Sequence, residues 1–453
     1  MANSNTNGDI ASTTPGDGTG LDPRLENRNV LIYATLTSLL FLSAPTLYVG
    51  FVQAALCKRL LTSDTLANVP ATAFLSMIWF PVVIAWLIPQ ARRLKATLSV
   101  AFGVMALMCA AVAVVLLSNP RPAVIIGALI AHAAVLGAAN GVVLTLNWEA
   151  IGRGMSEKRR GKAFSLAFGV GASFAVVGSL GAQLLLDGSV LGWAAPSWLN
   201  VAYPNSYVIL FLTSAMFMAT AASLVRFYVI PLPKVDVQRQ PFNVAILGGL
   251  QAIIRNRPLR YICLAYLLVY FGNMAQVNMS LFTKEAVGVP SESLVGYQLA
   301  LRFSFKIVAG ALLGWVLART YPKIPLFVTI GLLITCVLWV LFVPGYWFLI
   351  AFGLNGAGEL FGVYFVNYAV SCSPKSQVRR NLAFLFCISS LVSFAPVFYG
   401  WISDHWGLRA SFWAALVVLL FTAALVQLAL PKRPQPRPED LTAADLAEKT
   451  AGV

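Results

Sequence analysis

Twelve predominantly apolar runs of about 20 residues or more follow one another along this chain, and they constrain its fold more than any other feature. An α-helix rises about 1.5 Å per residue, so a run of this length can cross the roughly 30 Å of hydrocarbon in a bilayer. Numbered as segments 1 to 12 in chain order, the runs lie at 30–56, 66–89, 94–118, 122–148, 162–186, 206–231, 259–283, 294–318, 324–343, 346–371, 382–402 and 409–430. The sequence therefore predicts an all-α polytopic membrane protein with twelve transmembrane helices.

The composition excludes most classes of soluble protein. Hydrophobic residues make up 58% of the chain and charged residues 11%, whereas a soluble globular chain carries about 25% charged residues. The net charge of +15 is explained by the excess of Lys and Arg in the cytoplasmic loops of membrane proteins, so we expect no nucleic acid as a partner. The chain has two histidines and six cysteines without C-x-x-C spacing, so we expect no metal, no cofactor and no histidine-based catalytic triad.

The charges between the segments predict the topology. Lys and Arg concentrate in alternate loops, and the positive-inside rule then places both termini in the cytoplasm of a protein of the plasma (inner) membrane. The longest polar break inside the membrane region indicates a cytoplasmic linker between two halves of six segments each. The predicted organisation is a disordered tail at 1–29, a six-helix bundle at 30–231, the linker at 232–258, a second six-helix bundle at 259–430 and a tail at 431–453.

An internal repeat supports this division. The run from Gly137 to Asn147 in segment 4 is echoed by the run from Gly356 to Asn367 in segment 10. The two asparagines lie 220 residues apart (367 − 147), and the same spacing separates Arg160 from its counterpart in the second half (380 − 160). The two halves are therefore in register.

This arrangement resembles the major facilitator superfamily of secondary transporters over residues 30–430. The resemblance implies two pseudo-symmetric bundles that move about a substrate site near the bilayer midplane. The loop after segment 2, at 85–93, lacks the glycine and the acid of the family's motif, and the loop after segment 8 keeps Gly314 but has Ala318 in place of the acid. Segment 5 lacks the Gly-Pro pair of the family's drug/proton antiporters, which argues against drug efflux.

Charged residues deep in the segments are the first candidates for a transport site, because each costs about 3 kcal/mol or more in the membrane. In segment 8, Gln298, Arg302 and Lys306 fall at i, i+4 and i+8 and so share one helix face. The two cations can present a positive site to an anionic substrate, and Glu359 of segment 10 is a candidate counter-ion or proton carrier. The alternatives are a purely structural ion pair, or a Lys306 side chain that reaches toward water. Similarity to the superfamily's monocarboxylate transporters, which also place an arginine in segment 8, is partial because Gln298 replaces their acid.

Uncharged polar residues extend the candidate substrate site. They repeat at roughly whole helical turns, which suits either hydrogen bonding to a substrate or packing between helices. The candidates are Tyr48 and Gln53 in segment 1, Asn140 in segment 4, and Tyr266, Tyr270, Asn273 and Gln276 in segment 7. His132 in segment 4 is a second candidate for proton coupling, although a lone histidine is more often structural.

The loops at the cytoplasmic ends of segments 4 and 8 supply a candidate gate. Glu149 lies beside a basic loop, and we expect it to pair with Arg153 or with an arginine of the other half, closing the inward side. Arg319, after segment 8, is the third member of this predicted gate.

The sequence thus predicts a secondary active transporter that moves a small solute by alternating access, with an organic anion as substrate and a proton as candidate coupling ion. We expect a monomer in the lipid bilayer and no enzymatic activity. Two alternatives stay open at this stage. One is a transporter-like receptor or scaffold without flux, and the other is a membrane-embedded enzyme acting on lipid-linked substrates, for which only Asp404 beside His405 offers suitable side chains.

Overall fold

In the computed structural model, the described part of the chain is almost entirely helical, apart from a two-stranded antiparallel ribbon formed by Ser189–Val190 and Trp193–Ala194. The structure describes residues 21–434 except 49, 61–62, 89, 119, 156–158, 160–161, 164, 195, 197–200, 232–240, 242–250, 252, 373–380, 382–384, 386, 389 and 433. Most of both predicted tails and of the predicted linker lies outside the described residues, as do parts of the basic loops after segments 4 and 10, so the domain boundaries stay predictions.

The α-helices of the first half fall in segments 1 to 6. They lie at Pro23–Leu42, Ala44–Leu47 and Val52–Leu60 (segment 1), Asp64–Ser76 and Phe80–Leu87 (segment 2), Leu94–Leu117 (segment 3), Pro122–Gly154 (segment 4), Gly171–Asp187 (segment 5) and Asn205–Leu224 (segment 6). Short 3₁₀ turns follow the α-helices of segments 2 and 6, at Ala91–Arg93 and Val225–Phe227, and a π-helical stretch at Ser165–Val170 precedes the segment 5 helix.

The α-helices of the second half fall in segments 7 to 12. They lie at Arg257–Asn273 and Gln276–Val287 (segment 7), Val295–Arg319 (segment 8), Lys323–Phe342 (segment 9), Ile350–Gly358 and Phe361–Ser371 (segment 10), Ala395–Trp406 (segment 11) and Leu408–Ala429 (segment 12). Short 3₁₀ turns lead into segments 8 and 10 at Ser291–Leu294 and Gly345–Leu349.

The predicted all-α membrane fold is confirmed. Nine helical stretches among the described residues are long and apolar enough to cross a membrane, and they fall in segments 2, 3, 4, 6, 7, 8, 9, 10 and 12. The other three segments are interrupted. Segment 1 breaks near Gly50, whose φ of +109° favours glycine; segment 5 shifts from π-helix to α-helix; and segment 11 is described only in part before Ala395.

The first helix begins earlier than the sequence indicated. We expected a disordered tail up to residue 29, but the helix begins at Pro23. Asp22 precedes it and accepts a hydrogen bond from the backbone N–H of Arg24, and proline at the first helical position needs no hydrogen-bond partner for its nitrogen. The polar composition of the residues before Val30 therefore did not indicate that a capped helix begins among them.

The two halves repeat the same packing. In the first half segment 4 packs against segments 2 and 3, and in the second half segment 10 packs against segments 8 and 9. Glycines from the sequence repeat permit the equivalent contacts, because a Cβ atom on Gly137 would lie 2.0 Å from the carbonyl oxygen of Phe74, and one on Gly356 would lie 2.0 Å from that of Arg302. The repeat in the sequence is therefore a repeat of helix contacts.

The halves meet most extensively through two pairs of segments, 2 with 11 and 5 with 8, and also where segment 1 contacts segment 7. We call one end of the molecule the far side; segments 1, 5 and 11 end there and segments 2 and 8 begin there. We call the opposite end the terminus side; segment 1 begins there and segment 12 ends there. Hydrogen bonds that join described residues of different halves lie on the far side or near mid-depth, for example from Arg59 to Glu292 and from the Gln183 side chain to the carbonyl of Ser293. The described conformation is thus closed on the far side.

Candidate functional site

Arg302, Lys306 and Glu359 meet near the middle of the second half. The Arg302 side chain is 1% exposed, and its Nε and Nη2 atoms donate to the two carboxylate oxygens of Glu359, with an Nε to Oε2 distance of 3.0 Å. Lys306 donates to the same carboxylate, with Nζ 2.7 Å from Oε2. Two positive charges and one negative charge leave this triad with a net charge of +1.

The local sequence explains why the triad forms. Arg302 and Lys306 are one helical turn apart on segment 8, so both side chains reach the same partner. Glu359 lies at the break between the helices Ile350–Gly358 and Phe361–Ser371. Gly356, one turn before it, brings the backbones of segments 8 and 10 into direct contact, and Gly353 lies against the ring of Phe305 in the same way.

Segment 1 of the other half covers the triad with aromatic rings. The Arg302 guanidinium carbon lies 4.7 Å from the ring centres of both Tyr48 and Phe51. The Tyr48 hydroxyl is 3.5 Å from Lys306 Nζ, and its ring meets Phe303 edge to face. Sequence reasoning missed Phe51, although it follows Tyr48 by three residues at the break in segment 1. Stacked rings attract a cation, so these contacts join the two halves at the charged site.

One nitrogen of the Arg302 guanidinium has no hydrogen-bond acceptor among the described residues. Its Nη1 atom is fully buried, and none of the described residues accepts a hydrogen bond from it. Buried polar groups are hydrogen-bonded in the great majority of cases, and an unmatched donor on a charged group is costly. This nitrogen therefore keeps hydrogen-bonding capacity that the described residues do not use.

The predicted polar stripe of segment 7 divides between two places. Tyr266 and Tyr270 pack together, with ring centres 5.7 Å apart, and Tyr270 lies within electrostatic reach of Glu359 and Arg302. Asn273 instead accepts a hydrogen bond from Asn355 at 3.0 Å.

Asn273 and Gln276 line a small cavity inside the second half. The cavity is enclosed by segments 7, 9, 10 and 12, and the Oε1 atom of Gln276 has no partner among the described residues. Of the stripe, Tyr270 therefore lies near the triad, whereas Asn273 and Gln276 face the interior of their own bundle.

Two predicted glutamines are engaged elsewhere. Gln298 is fully buried, accepts from Ser280 at 2.9 Å and donates to Thr283 at 2.8 Å, which ties segment 8 to segment 7. Gln53 donates to the carbonyl oxygen of Thr46 across the break in segment 1. Their hydrogen bonds hold the helices that carry the site.

Of the two candidates in segment 4, His132 packs within the first half. His132 is fully buried, with Nε2 3.5 Å from the sulfur of Cys109 on segment 3 and its ring edge to face with Phe211 of segment 6. Asn140 is half-buried and follows Gly137 by three residues, just as Glu359 follows Gly356. Counted from these two glycines, which lie 219 residues apart (356 − 137), Asn140 is the neutral counterpart of Glu359.

The predicted gate residues do not bridge the halves in the described conformation. Glu149 pairs with Arg153 at 2.8 Å within the same helix, and both side chains are about one-third exposed or less. Arg319 is exposed and stacks on Trp315 at 4.3 Å. Their role as a gate stays a prediction.

Comparison with known proteins identifies the fold. A family profile described as Major Facilitator Superfamily matches residues 262–451. No curated protein sequence matches the chain.

Solved structures are similar over nearly the whole chain. They include the xylose transporter XylE from E. coli in a partially occluded inward open conformation (15% identity, 90% of this chain and 98% of that chain, TM-score 0.65). The nucleoside transporter NupG (11% identity, 89% and 100%, TM-score 0.65) and the E. coli fucose:proton symporter FucP (17% identity, 90% and 98%, TM-score 0.55) have the same fold.

Proposed function

We propose that the chain is a member of the major facilitator superfamily of transporters, since a profile of that family matches residues 262–451 and solved transporters share its fold. We further propose that it carries a small organic anion across the membrane by alternating access, coupled to a proton through Glu359. The profile match and the fold shared with solved transporters favour a transporter over a membrane-embedded enzyme. The substrate and the coupling ion are inferred from the triad.

The buried, unmatched Nη1 donor of Arg302 is the observation that carries the proposal. It belongs to a site with a net charge of +1 between segments 8 and 10, covered by Tyr48 of the other half. A carboxylate or similar anion can accept from this nitrogen and from Lys306, whose side chain is 20% exposed. Such a ligand would touch both halves, which is what coupling to their relative movement requires.

Glu359 links anion binding to a proton. In the described state its carboxylate accepts from both Arg302 and Lys306, so a substrate anion must compete with it for these donors. Protonation of Glu359 removes this competition and leaves two cations for one anion. Proton and anion therefore favour each other's binding, and this linkage is reciprocal.

The conformation fits one end of the transport cycle. If both termini are cytoplasmic, as the loop charges predict, the closed far side faces outward and the described state is closed to the exterior. Anion release would then occur toward the terminus side.

A neutral polar solute is the second candidate. The bidentate contact with Glu359 already balances the charge of Arg302, and Tyr48 and Tyr270 supply hydroxyl groups near it. Transporters named for xylose, nucleosides and fucose share the fold. On this alternative, Glu359 would bind the proton while the tyrosines bind the solute.

Uptake into proteoliposomes tests the proposal. Radiolabelled anionic metabolites, sugars and nucleosides are offered with and without an inward proton gradient. We expect saturable uptake of an anion, stimulated by the gradient, and loss of that uptake in Lys306→Ala. The matched control is Lys284→Ala, which removes an exposed lysine at the far end of segment 7.

Three outcomes contradict the proposal in different ways. Uptake of sugars or nucleosides only would favour the neutral solute. Anion uptake that ignores the proton gradient, or that keeps its gradient dependence in Glu359→Gln, would remove the coupling role of Glu359. A folded protein that takes up none of these solutes would favour a receptor or scaffold.

A further inference from the structure

A carboxylate of one half caps a helix of the other half on the far side. Asp404, in the last turn of the segment 11 helix, accepts hydrogen bonds from the backbone N–H groups of Asp64 at 2.8 Å and Thr65 at 3.1 Å. It also accepts from the hydroxyls of Ser63, at 2.9 Å, and Thr65. We call these four residues the far-side latch.

The contact has a clear physical basis. The first N–H groups of a helix have no partner within the helix, and the helix dipole places positive potential at that end. Asp64 and Thr65 open the helix Asp64–Ser76 of segment 2, so a carboxylate placed there gains several charge-assisted hydrogen bonds at once. The donors lie in the first half of the molecule and the acceptor in the second.

Asp404 remains charged in this position. Burial alone would raise its pKa, but the hydrogen bonds from Thr65, Asp64 and Ser63 together lower it. The neighbouring carboxylate of Asp64 is paired with Lys58, and His405 bonds to the carbonyl of Trp401 on its own helix.

Close packing continues from the latch toward the membrane interior. A Cβ atom on Gly400, one turn before Asp404, would lie 2.8 Å from the Cα of Thr65. Deeper still, Asn68 of segment 2 donates to Asn278 of segment 7 at 2.9 Å. Segments 2 and 11 cannot separate on the far side without breaking the latch first.

We infer that Asp404 is a positioning residue of the transport cycle: it holds the far side closed by capping segment 2 across the two halves, and it must leave this cap before the far side can open. This role is independent of the substrate, so it can be tested without one. The sequence offered Asp404 only as a poor candidate for enzyme chemistry.

The test measures how often the far side opens. Val277 is 2% exposed and packs against Gly50 of the other half, so a thiol introduced by Val277→Cys is reached only when the halves part. Purified protein is exposed to a polar maleimide, and site-resolved mass spectrometry follows the labelling rate at position 277. Native Cys109, fully buried within the first half, reports unfolding in the same sample.

Asp404→Asn keeps the shape of the side chain and removes its charge. We expect about tenfold faster labelling at position 277, equivalent to about 1.4 kcal/mol in the opening equilibrium, with Cys109 still protected. Asp404→Glu should restore part of the protection. Asp187→Asn is the matched control, because Asp187 is also a far-side carboxylate but bonds only to Ser189 of its own half among the described residues.

An unchanged rate at position 277 in both Asp404→Asn and Asp404→Ala would overturn the inference. Equal increases at position 277 and Cys109 would also overturn it, because they would assign Asp404 to general stability and not to the far side. Failure of the anion proposal would leave these rates unaffected.

Discussion

Removal of the Glu359 carboxylate should destabilise the second half strongly. In Glu359→Gln the Arg302 side chain, 1% exposed, keeps its charge and loses the only carboxylate it contacts among the described residues. Breaking a buried ion pair by removing one partner costs about 3–5 kcal/mol. Lys306→Met should cost less, about 1–2 kcal/mol, because Lys306 is 20% exposed and Glu359 keeps both hydrogen bonds from Arg302.

Double-mutant cycles separate the two pairs. The free energy of unfolding is measured in detergent for Glu359→Gln, Arg302→Met, Lys306→Met and the two doubles that include Glu359→Gln. We expect the double with Arg302→Met to recover most of the lost stability, since the fully buried guanidinium is gone and the charge that remains, on Lys306, is 20% exposed. The coupling energy between Arg302 and Glu359 should exceed that between Lys306 and Glu359, and neither double should recover transport.

Two results would refute this reasoning. Additive effects of Arg302→Met and Glu359→Gln, within about 0.5 kcal/mol, would mean that the two side chains do not interact in the folded protein. A larger coupling for Lys306 than for Arg302 would mean that the bidentate contact is not the main support of the site.

Three further predictions concern residues around the site. Gly356→Ala should lower the free energy of unfolding by about 1–3 kcal/mol and reduce uptake, because the new methyl group would force segments 8 and 10 apart. Gly362→Ala is the control: no atom lies within 4 Å of a Cβ at that position, so stability and uptake should stay unchanged. His132→Gln should lower the thermal stability of the first half but leave the pH dependence of uptake unchanged, since His132 faces segments 3 and 6. A shifted pH profile of uptake would instead indicate that His132 takes part in proton coupling. Glu149→Gln should change the free energy of unfolding by less than about 1 kcal/mol, because its partner is on the same helix and both are partly exposed; a larger loss would indicate a partner in the other half.

Several parts of the site were predictable from local spacing. Arg302 and Lys306 fall on one face because a helix turns every 3.6 residues, and Glu359 was the acid near the same depth. The glycine repeat likewise marked the helix contacts that Gly137 and Gly356 make.

The contacts of other candidates could not be predicted, because they depend on how helices rotate against each other. Gln298 has the same spacing as Arg302, yet it bonds to segment 7. His132 and Asn140 both lie on segment 4, and the histidine faces its own bundle. The periodicity of a sequence shows which side chains share one face of a helix, but it does not show which neighbouring helix that face contacts.

The sequence by itself determined that the chain is a helical membrane protein built from two related halves. Runs of apolar residues leave the backbone no partners except its own hydrogen bonds, so helices are required whatever their neighbours are. Only the tertiary structure decided that Phe51 covers Arg302, and that Asp404 caps the helix beginning at Asp64. These residues lie hundreds of positions apart in the chain. Their contacts depend on the relative position of the two halves, which the spacing of residues along one helix does not indicate.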